Sequence, residues 1–377
     1  MTTAGGRPDL RRFLLSGAGW PYLLVPFIPI AVVLEIANGS PTLIFFASAL
    51  GVIPTAALMG RATEELAARS GPGIGGLLNV MFGNAPELII ALFALGAGLH
   101  EVVKASLIGS ILGNILLVMG AAMFVGGLRR DRQRFDRTAA SAQSAMLLLA
   151  AVALAMPAIY ELIDGRGLPK PTDERIHYDP TVQALSFWVA LVLMATYVAG
   201  LVFSLRTHRD LFNPQQEDDG HEGEPWTVRR SVIALAVAGA LVGLMSEILV
   251  GSISEAAHNI GLSEFFIGAI VVAIVGNAAE HWVAVLVAAK DKMDLAVNIA
   301  IGSSAQIALF VAPVLVVVSF VLGPHPMAFV LNGLELGGVF LAVLIANHVT
   351  NEGESTWFEG VQLLAVYVVL AITFGFA

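Results

Sequence analysis

The chain has no cysteine and little charge. Without cysteine there is no disulfide framework and no thiolate metal site. Asp, Glu, Lys and Arg make up only 13% of its 377 residues. A soluble domain of this length needs more polar surface, so a water-soluble globular enzyme is excluded. The motif HExxH is also missing, which removes a zinc protease of that type. The net charge of −9 gives no basic footprint for nucleic acid.

What is present is hydrophobic sequence in long runs. Apolar residues make up 57% of the chain, and the mean hydropathy is +0.80. A spanning helix needs about 20 mostly apolar residues. Such runs number about eleven, at roughly 20–38, 41–66, 73–98, 102–126, 138–160, 181–205, 229–256, 263–289, 294–322, 326–349 and 357–377. The fold class is therefore an all-α polytopic membrane protein. Arg7, Arg11 and Arg12 ahead of the first run imitate a signal peptide. That run is too long and too rich in proline for one, and is expected to stay as the first helix.

Basic residues set the expected orientation. With the N-terminus in the cytoplasm, the inner loops receive the cluster Arg129, Arg130, Arg132, Arg134 and Arg137, along with Arg61, Arg69, Lys290 and Lys292. Only Lys104, Arg166, Lys170 and Arg175 fall outside. This bias predicts an N-terminus inside and a C-terminus outside. The expected site is a cell membrane, the inner membrane of a bacterium.

Two phrases recur. GNAPE occupies 83–87 and GNAAE occupies 276–280. Aligned without a gap, 83–110 and 276–303 share Gly-Asn-Ala, the Glu, Ala91 with Ala284, and the downstream Ile-Gly-Ser. Glu101 meets Asp294 at the matching turn. This is an internal duplication. It divides the chain into an N-terminal segment and first helix (1–38), a first repeat (39–205), an acidic linker (206–226) and a second repeat (227–377). Each repeat holds five helices, an odd number, so the two enter the membrane from opposite sides. In inverted-repeat transporters the ion site lies near the midplane, where the repeats meet.

An intramembrane carboxylate costs about 3 kcal/mol or more, so one placed there is expected to have a use. Glu87 and Glu280 are expected well inside their helices and are the leading candidates. Asn84 and Asn277 lie one turn away and should share their faces. Pro86 has no N–H, so the carbonyl of Phe82 is freed as an oxygen ligand. Ser110 with Asn114, and Ser303 with Gln306, add hydroxyl and amide oxygens at helical spacing. Such a set of hard oxygens suits Ca²⁺. Two adjacent buried carboxylates need either a cation or protons for neutrality, and that competition is the basis of exchange. Glu65 and Glu255 are expected to line vestibules or to be solvated helix ends, Glu247 to sit deeper, and His281 to handle protons or to pack as a core histidine. Glu35, Glu161, Glu264 and Glu359 are expected to reach solvent from helix ends. The acidic linker is a solvated connection or a strip that concentrates cations.

These residues resemble a known family. GNAPELIIALFALGAGLHEVVKASLIGSILGN and GNAAEHWVAVLVAAKDKMDLAVNIAIGSSAQIALF look like the two repeat motifs of the cation/proton exchangers. Those are Ca²⁺/H⁺ antiporters of the cation/calcium exchanger superfamily. The resemblance implies one leading helix plus two inverted five-helix repeats. It implies that Glu87 and Glu280 take Ca²⁺ and H⁺ in turn, with Ser303 and Gln306 as further ligands. Ca²⁺ is then a transported substrate, and no cofactor is expected. The resemblance also implies a homo-oligomer, a trimer, in a lipid bilayer. Two rivals follow from the residues. A Na⁺-coupled exchanger would call for more central acids. An intramembrane serine protease would leave the duplicated carboxylates unexplained.

Overall fold

The computed structural model describes residues 19–171, 178–204 and 226–377. The acidic segment 215–224 and the basic residues Arg7, Arg11, Arg12 and Arg175 lie outside the described residues. Among the described residues nine helices are long and apolar enough to cross a membrane, and two shorter apolar helices bring the set to eleven.

In chain order these are α1 (Trp20–Ile36), α2 (Pro41–Phe82), α3 (Ala85–Gly96), α4 (His100–Gly127), α5 (Arg137–Ile163) and α6 (Pro180–Val202). The second half holds α7 (Val228–Ile260), α8 (Glu264–Ala289), α9 (Met293–Val318), α10 (Gly333–Glu352) and α11 (Trp357–Gly375). The expected class, a leading helix and two sets of five, is what folds. The helices begin where the sequence offers caps. Asp136 accepts from Thr138 and Ala139, and Thr227 accepts from Arg230. Asn332 with Glu335 and Thr356 with Glu359 form capping boxes on α10 and α11. Glu359 is thus a capping acid as well as a helix-end acid.

α2 is longer than one crossing, and it folds back. A Cβ at Gly75 would lie 2.4 Å from the carbonyl oxygen of Ala67. Residues eight apart on a straight helix are separated by about 12 Å. The first leg of α2 is thus one crossing. Its second leg, with α3, makes the next.

α2 and α7 form the most extensive helix pair. Gly51 lets Met245 in, since a Cβ there would lie 2.7 Å from Met245 Sδ. Elsewhere α4 lies against α11 through Gly120 and Gly360, and α5 against α10. Trp20 packs edge-on to Trp282, with centroids 5.8 Å apart, so the start of α1 meets α8 just past the second phrase.

The connections gather at two faces. On one, the strand β1 (Gln133–Arg134) pairs antiparallel with β2 (Glu354–Ser355). There Arg130 pairs with Asp291 at 3.0 Å, Arg132 pairs with Glu354, and the Asp136 N–H donates to Asp294. On the other face, Lys104 pairs with Glu101 at 2.6 Å and donates to the carbonyl of Val330 at 2.9 Å. Phe329 N–H donates to Ser186 at 3.0 Å, and Arg166 pairs with Asp179 at 3.1 Å. The repeat-equivalent acids Glu101 and Asp294 therefore sit at opposite faces, as inversion demands.

Two expectations fail here. Lys104, placed by its charge in an outer loop, is 1% exposed inside α4. The acid one turn before it and the Val330 carbonyl give its ammonium partners, so it need not reach water. Glu161, expected to reach solvent, is fully buried. The chain folds back over its helix end, and Arg166 N–H donates to the Glu161 carbonyl at 3.1 Å.

Candidate ion-binding site

The two phrases fold differently. GNAAE lies within the continuous α8. GNAPE lies at a break: Gly83 ends α2, Asn84 has φ −103° and ψ 23°, and α3 starts at Ala85. The third apolar run, expected as one helix over 73–98, is therefore discontinuous. Pro86 has no N–H to donate back along the chain, and Gly83 tolerates the change of course. Phe82 closes α2 just before the break. Glu87 stands in the first turn of α3 rather than deep in a helix, and Asn84 precedes that helix rather than sharing its face. In hydrocarbon a break of this kind is stable only where it is buried in protein or lines a cavity.

The phrases meet side by side. A Cβ at Gly276 would lie 3.4 Å from Glu87 Cγ and 3.9 Å from its Cδ. Glycine at this position lets the Glu87 carboxyl reach the second repeat. Close by, Gly83 faces Gln306 Oε1, which is 3.8 Å from where its Cβ would be.

Hydrogen bonds knit the expected residues together. Asn84 Nδ2 donates to Gln306 Oε1 at 2.7 Å. Asn277 Nδ2 donates to Ser110 Oγ at 3.0 Å and to the Ala273 carbonyl at 2.9 Å. Ser303 Oγ donates to Glu280 Oε1 at 2.6 Å. His281 Nε2 lies 3.0 Å from Asn114 Oδ1. Most of these bonds join the first repeat to the second. Asn84, Glu87, Ser110, Asn114, Asn277 and Ser303 are buried, while Glu280, His281 and Gln306 are half-buried.

Oxygen is left over. Asn84 Oδ1, Glu87 Oε2 and Asn277 Oδ1 are buried and receive no hydrogen bond. Buried acceptors are nearly always satisfied, so three such oxygens beside a second carboxylate fit a cation of the Ca²⁺ class.

The outlying acids take other places. Glu65 accepts the backbone N–H of Trp226 at 2.9 Å instead of standing free in a vestibule. Two guanidinium groups lie over the Trp226 ring, Arg61 at 5.0 Å and Arg230 at 4.4 Å from its centroid. Glu247 and Glu255 are exposed on α7. The sequence reading missed Glu64, the neighbour of Glu65. It is exposed, and its charge acts on Glu280. The rotation of α2 sets which of the two adjacent acids meets Trp226 and which stays exposed. The run of two acids at 64–65 was the available signal.

Comparison with known proteins finds relatives along almost the whole chain. The family model for "Sodium/calcium exchanger protein" matches residues 40–206 and 230–376. The chain is 43% identical to the "Ca(2+)/H(+) antiporter" of Synechocystis sp., over 94% of this chain and 96% of that protein. It is 42% identical to the "Ca(2+)/H(+) antiporter ChaA" of Bacillus subtilis, over 96% and 98%. The solved structure of native YfkE is similar at a TM-score of 0.79 and 39% identity, covering 95% of this chain and 100% of that one. With both repeats matched by one model, this chain belongs to the sodium/calcium exchanger protein family.

Proposed function

We propose that this protein exchanges Ca²⁺ for H⁺ across a membrane, with Glu87 and Glu280 as one shared site that holds either Ca²⁺ or protons. The observation that carries this reading is the set of buried oxygens without donors, Asn84 Oδ1, Glu87 Oε2 and Asn277 Oδ1, drawn from both repeats. The relatives named as Ca²⁺/H⁺ antiporters support it.

The carboxylates cannot both remain charged in a low-dielectric core without a counterion. Ca²⁺ supplies the charge in one half-cycle, and protons supply it in the other. Asn84, Asn277, Ser110 and Ser303 offer neutral oxygens, Gln306 holds Asn84 through its own amide oxygen, and the break at Phe82–Asn84 leaves backbone carbonyls near the site. His281 and Asn114 hold the wall between α8 and α4. Glu64 gathers cations at the mouth on the Glu280 side.

That side is the cytosolic one in this proposal. The face with β1, Arg130 and Arg132 carries the basic cluster, and positive loops face the cytoplasm. The N-terminus is then inside, in a bacterial inner membrane. A homo-oligomer, a trimer by resemblance, belongs to the same proposal.

Energetics bound the coupling. Lifting Ca²⁺ a thousandfold needs about 4 kcal/mol, and moving its two charges against 100 mV needs about 4.6 more. One proton returns about 2.3 kcal/mol from that potential and about 1.4 per pH unit. Under those conditions and one pH unit, two protons fall short and three suffice.

The test is Ca²⁺ flux in vesicles, with and without a pH gradient. Uptake should follow the gradient and collapse with a protonophore. Glu87→Gln and Glu280→Gln should each abolish it. Ca²⁺ movement driven by Na⁺ instead would favour the Na⁺-coupled reading. Near wild-type exchange by Glu87→Gln would overturn the shared site.

A further inference from the structure

We propose that Gln306 and Asn114 form a one-sided latch that holds the transporter in the conformation with Glu280 on the open side. They are positioning residues, acting through Asn84 and His281. This rests on the alternating-access reading above.

The argument uses the repeat. The gapless alignment gives every site residue an image in the other half: Asn84 and Asn277, Glu87 and Glu280, Ser110 and Ser303, Leu88 and His281, Gly113 and Gln306, Asn114 and Ile307. When inverted repeats exchange their conformations, the molecule opens to the opposite side. A contact whose image carries the same residue types can be remade on the other side. A contact whose image lacks them is lost.

Two of the four bonds between side chains have such images. Ser303 to Glu280 maps onto Ser110 to Glu87, and Glu87 Oε2 is waiting without a donor. Asn277 to Ser110 maps onto Asn84 to Ser303. Serine and asparagine can trade these partners with little net change.

The other two have no image. Asn84 to Gln306 maps onto Asn277 and Gly113, which has no side chain. His281 to Asn114 maps onto Leu88 and Ile307, both apolar. Both unmatched bonds exist in this conformation, and opening the other way breaks them without replacement. The Gln306 bond also grips Asn84 at the helix break, and it occupies the amide that Ser303 would need.

The repeats do stand in different conformations here. Glu280 is half-buried, and so are Ala278 and Ala279. Glu87 is 9% exposed, and Ala85 and Pro86 are buried. The chain is broken at Asn84 and continuous at Asn277. A net hydrogen bond shifts such an equilibrium by about threefold to tenfold.

The test exploits the lack of cysteine. Ala278→Cys and Ala85→Cys are reporters at image positions. Maleimide labelling of each is measured in Ca²⁺-free proteoliposomes without a pH gradient. With the latch intact, the Ala278→Cys reporter should react faster. Gln306→Gly or Asn114→Ile should slow it and speed the Ala85→Cys reporter, about threefold or more. Gly113→Gln adds the mirror latch; a Cβ there meets only His281 Cε1, at 3.8 Å. Gln306→Gly combined with Gly113→Gln should invert the ratio of the two rates. Each variant is first checked for a single folded species. If the combined variant does not fold, Gly113→Gln alone decides, since it must raise labelling of the Ala85→Cys reporter. An unchanged ratio in all folded variants overturns the latch, whatever happens to transport. An inverted ratio in a protein that never couples Ca²⁺ to H⁺ keeps the latch and removes the functional reading.

Discussion

Gly109 lies directly against the carbonyl of Ala269: a Cβ on the glycine would stand 1.9 Å from that oxygen. α4 and α8 thus touch backbone to backbone, beside the Ser110 to Asn277 bond. The repeat-equivalent Gly302 has no such constraint, since its nearest neighbour is Gln143 Oε1 at 3.7 Å. Gly109→Ala should therefore destabilise the fold by about 3 kcal/mol or more, because one helix must move. Gly302→Ala should be nearly neutral. Thermal unfolding in detergent separates them, and equal melting temperatures would contradict the packing.

Lys104 is buried, with Glu101 paired to it and Glu335 close enough to act on it. Lys104→Met should leave buried carboxylates without a counterion and cost about 3–5 kcal/mol. Lys104→Met with Glu101→Gln removes a charge of each sign and should recover much of that loss. A double variant no more stable than the single one would mean that the pair is not coupled.

Ser303 donates to Glu280, but it carries no charge. Ser303→Ala should raise the Ca²⁺ concentration for half-maximal exchange by roughly tenfold, the size of a hydrogen bond to a charged group. Glu280→Gln should abolish exchange. Asn84→Ala and Asn277→Ala should be milder than either glutamate change, since water can replace a neutral ligand. Complete loss of exchange in Ser303→Ala with a normal melting curve would give the hydroxyl a larger part.

Arg132 lies on the face with the β1–β2 pair, and Lys170 follows Arg166 on the other. In the cysteine-free chain, Arg132→Cys and Lys170→Cys should label from opposite sides of the membrane. Removing the exposed Arg132 to Glu354 pair costs little. Labelling of both from one side would overturn the topology.

Eleven crossings were legible in the sequence, because a bilayer imposes a length of apolar chain that any linear scan can measure. The duplication was legible too, because two phrases of fixed spacing survive as letters. An odd number of helices per repeat then fixed the inversion. The candidate residues were legible as well: Asn84 with Gln306, Ser110 with Asn277, Glu280 with Ser303, and Glu87 against Gly276 do come together in the folded chain, and their role as an ion site is the proposal made above. The sequence could not say who bonds whom. Asn84 and Gln306 are 222 residues apart, and helical periodicity describes only neighbours within a few turns. Nor could it show that the two phrases adopt different backbones: Pro86 in place of Ala279 permits a break, but only packing decides that the chain takes it. The burial of Lys104 and the anchoring of Glu65 by Trp226 were hidden for the same reason. A charge reads as a surface residue until a distant segment, here Val330 or Trp226, arrives to satisfy it. Only packing brings that segment, and so only the tertiary structure decided which charges stay dry, which of two adjacent acids meets Trp226 and which hydrogen bonds have no mirror image.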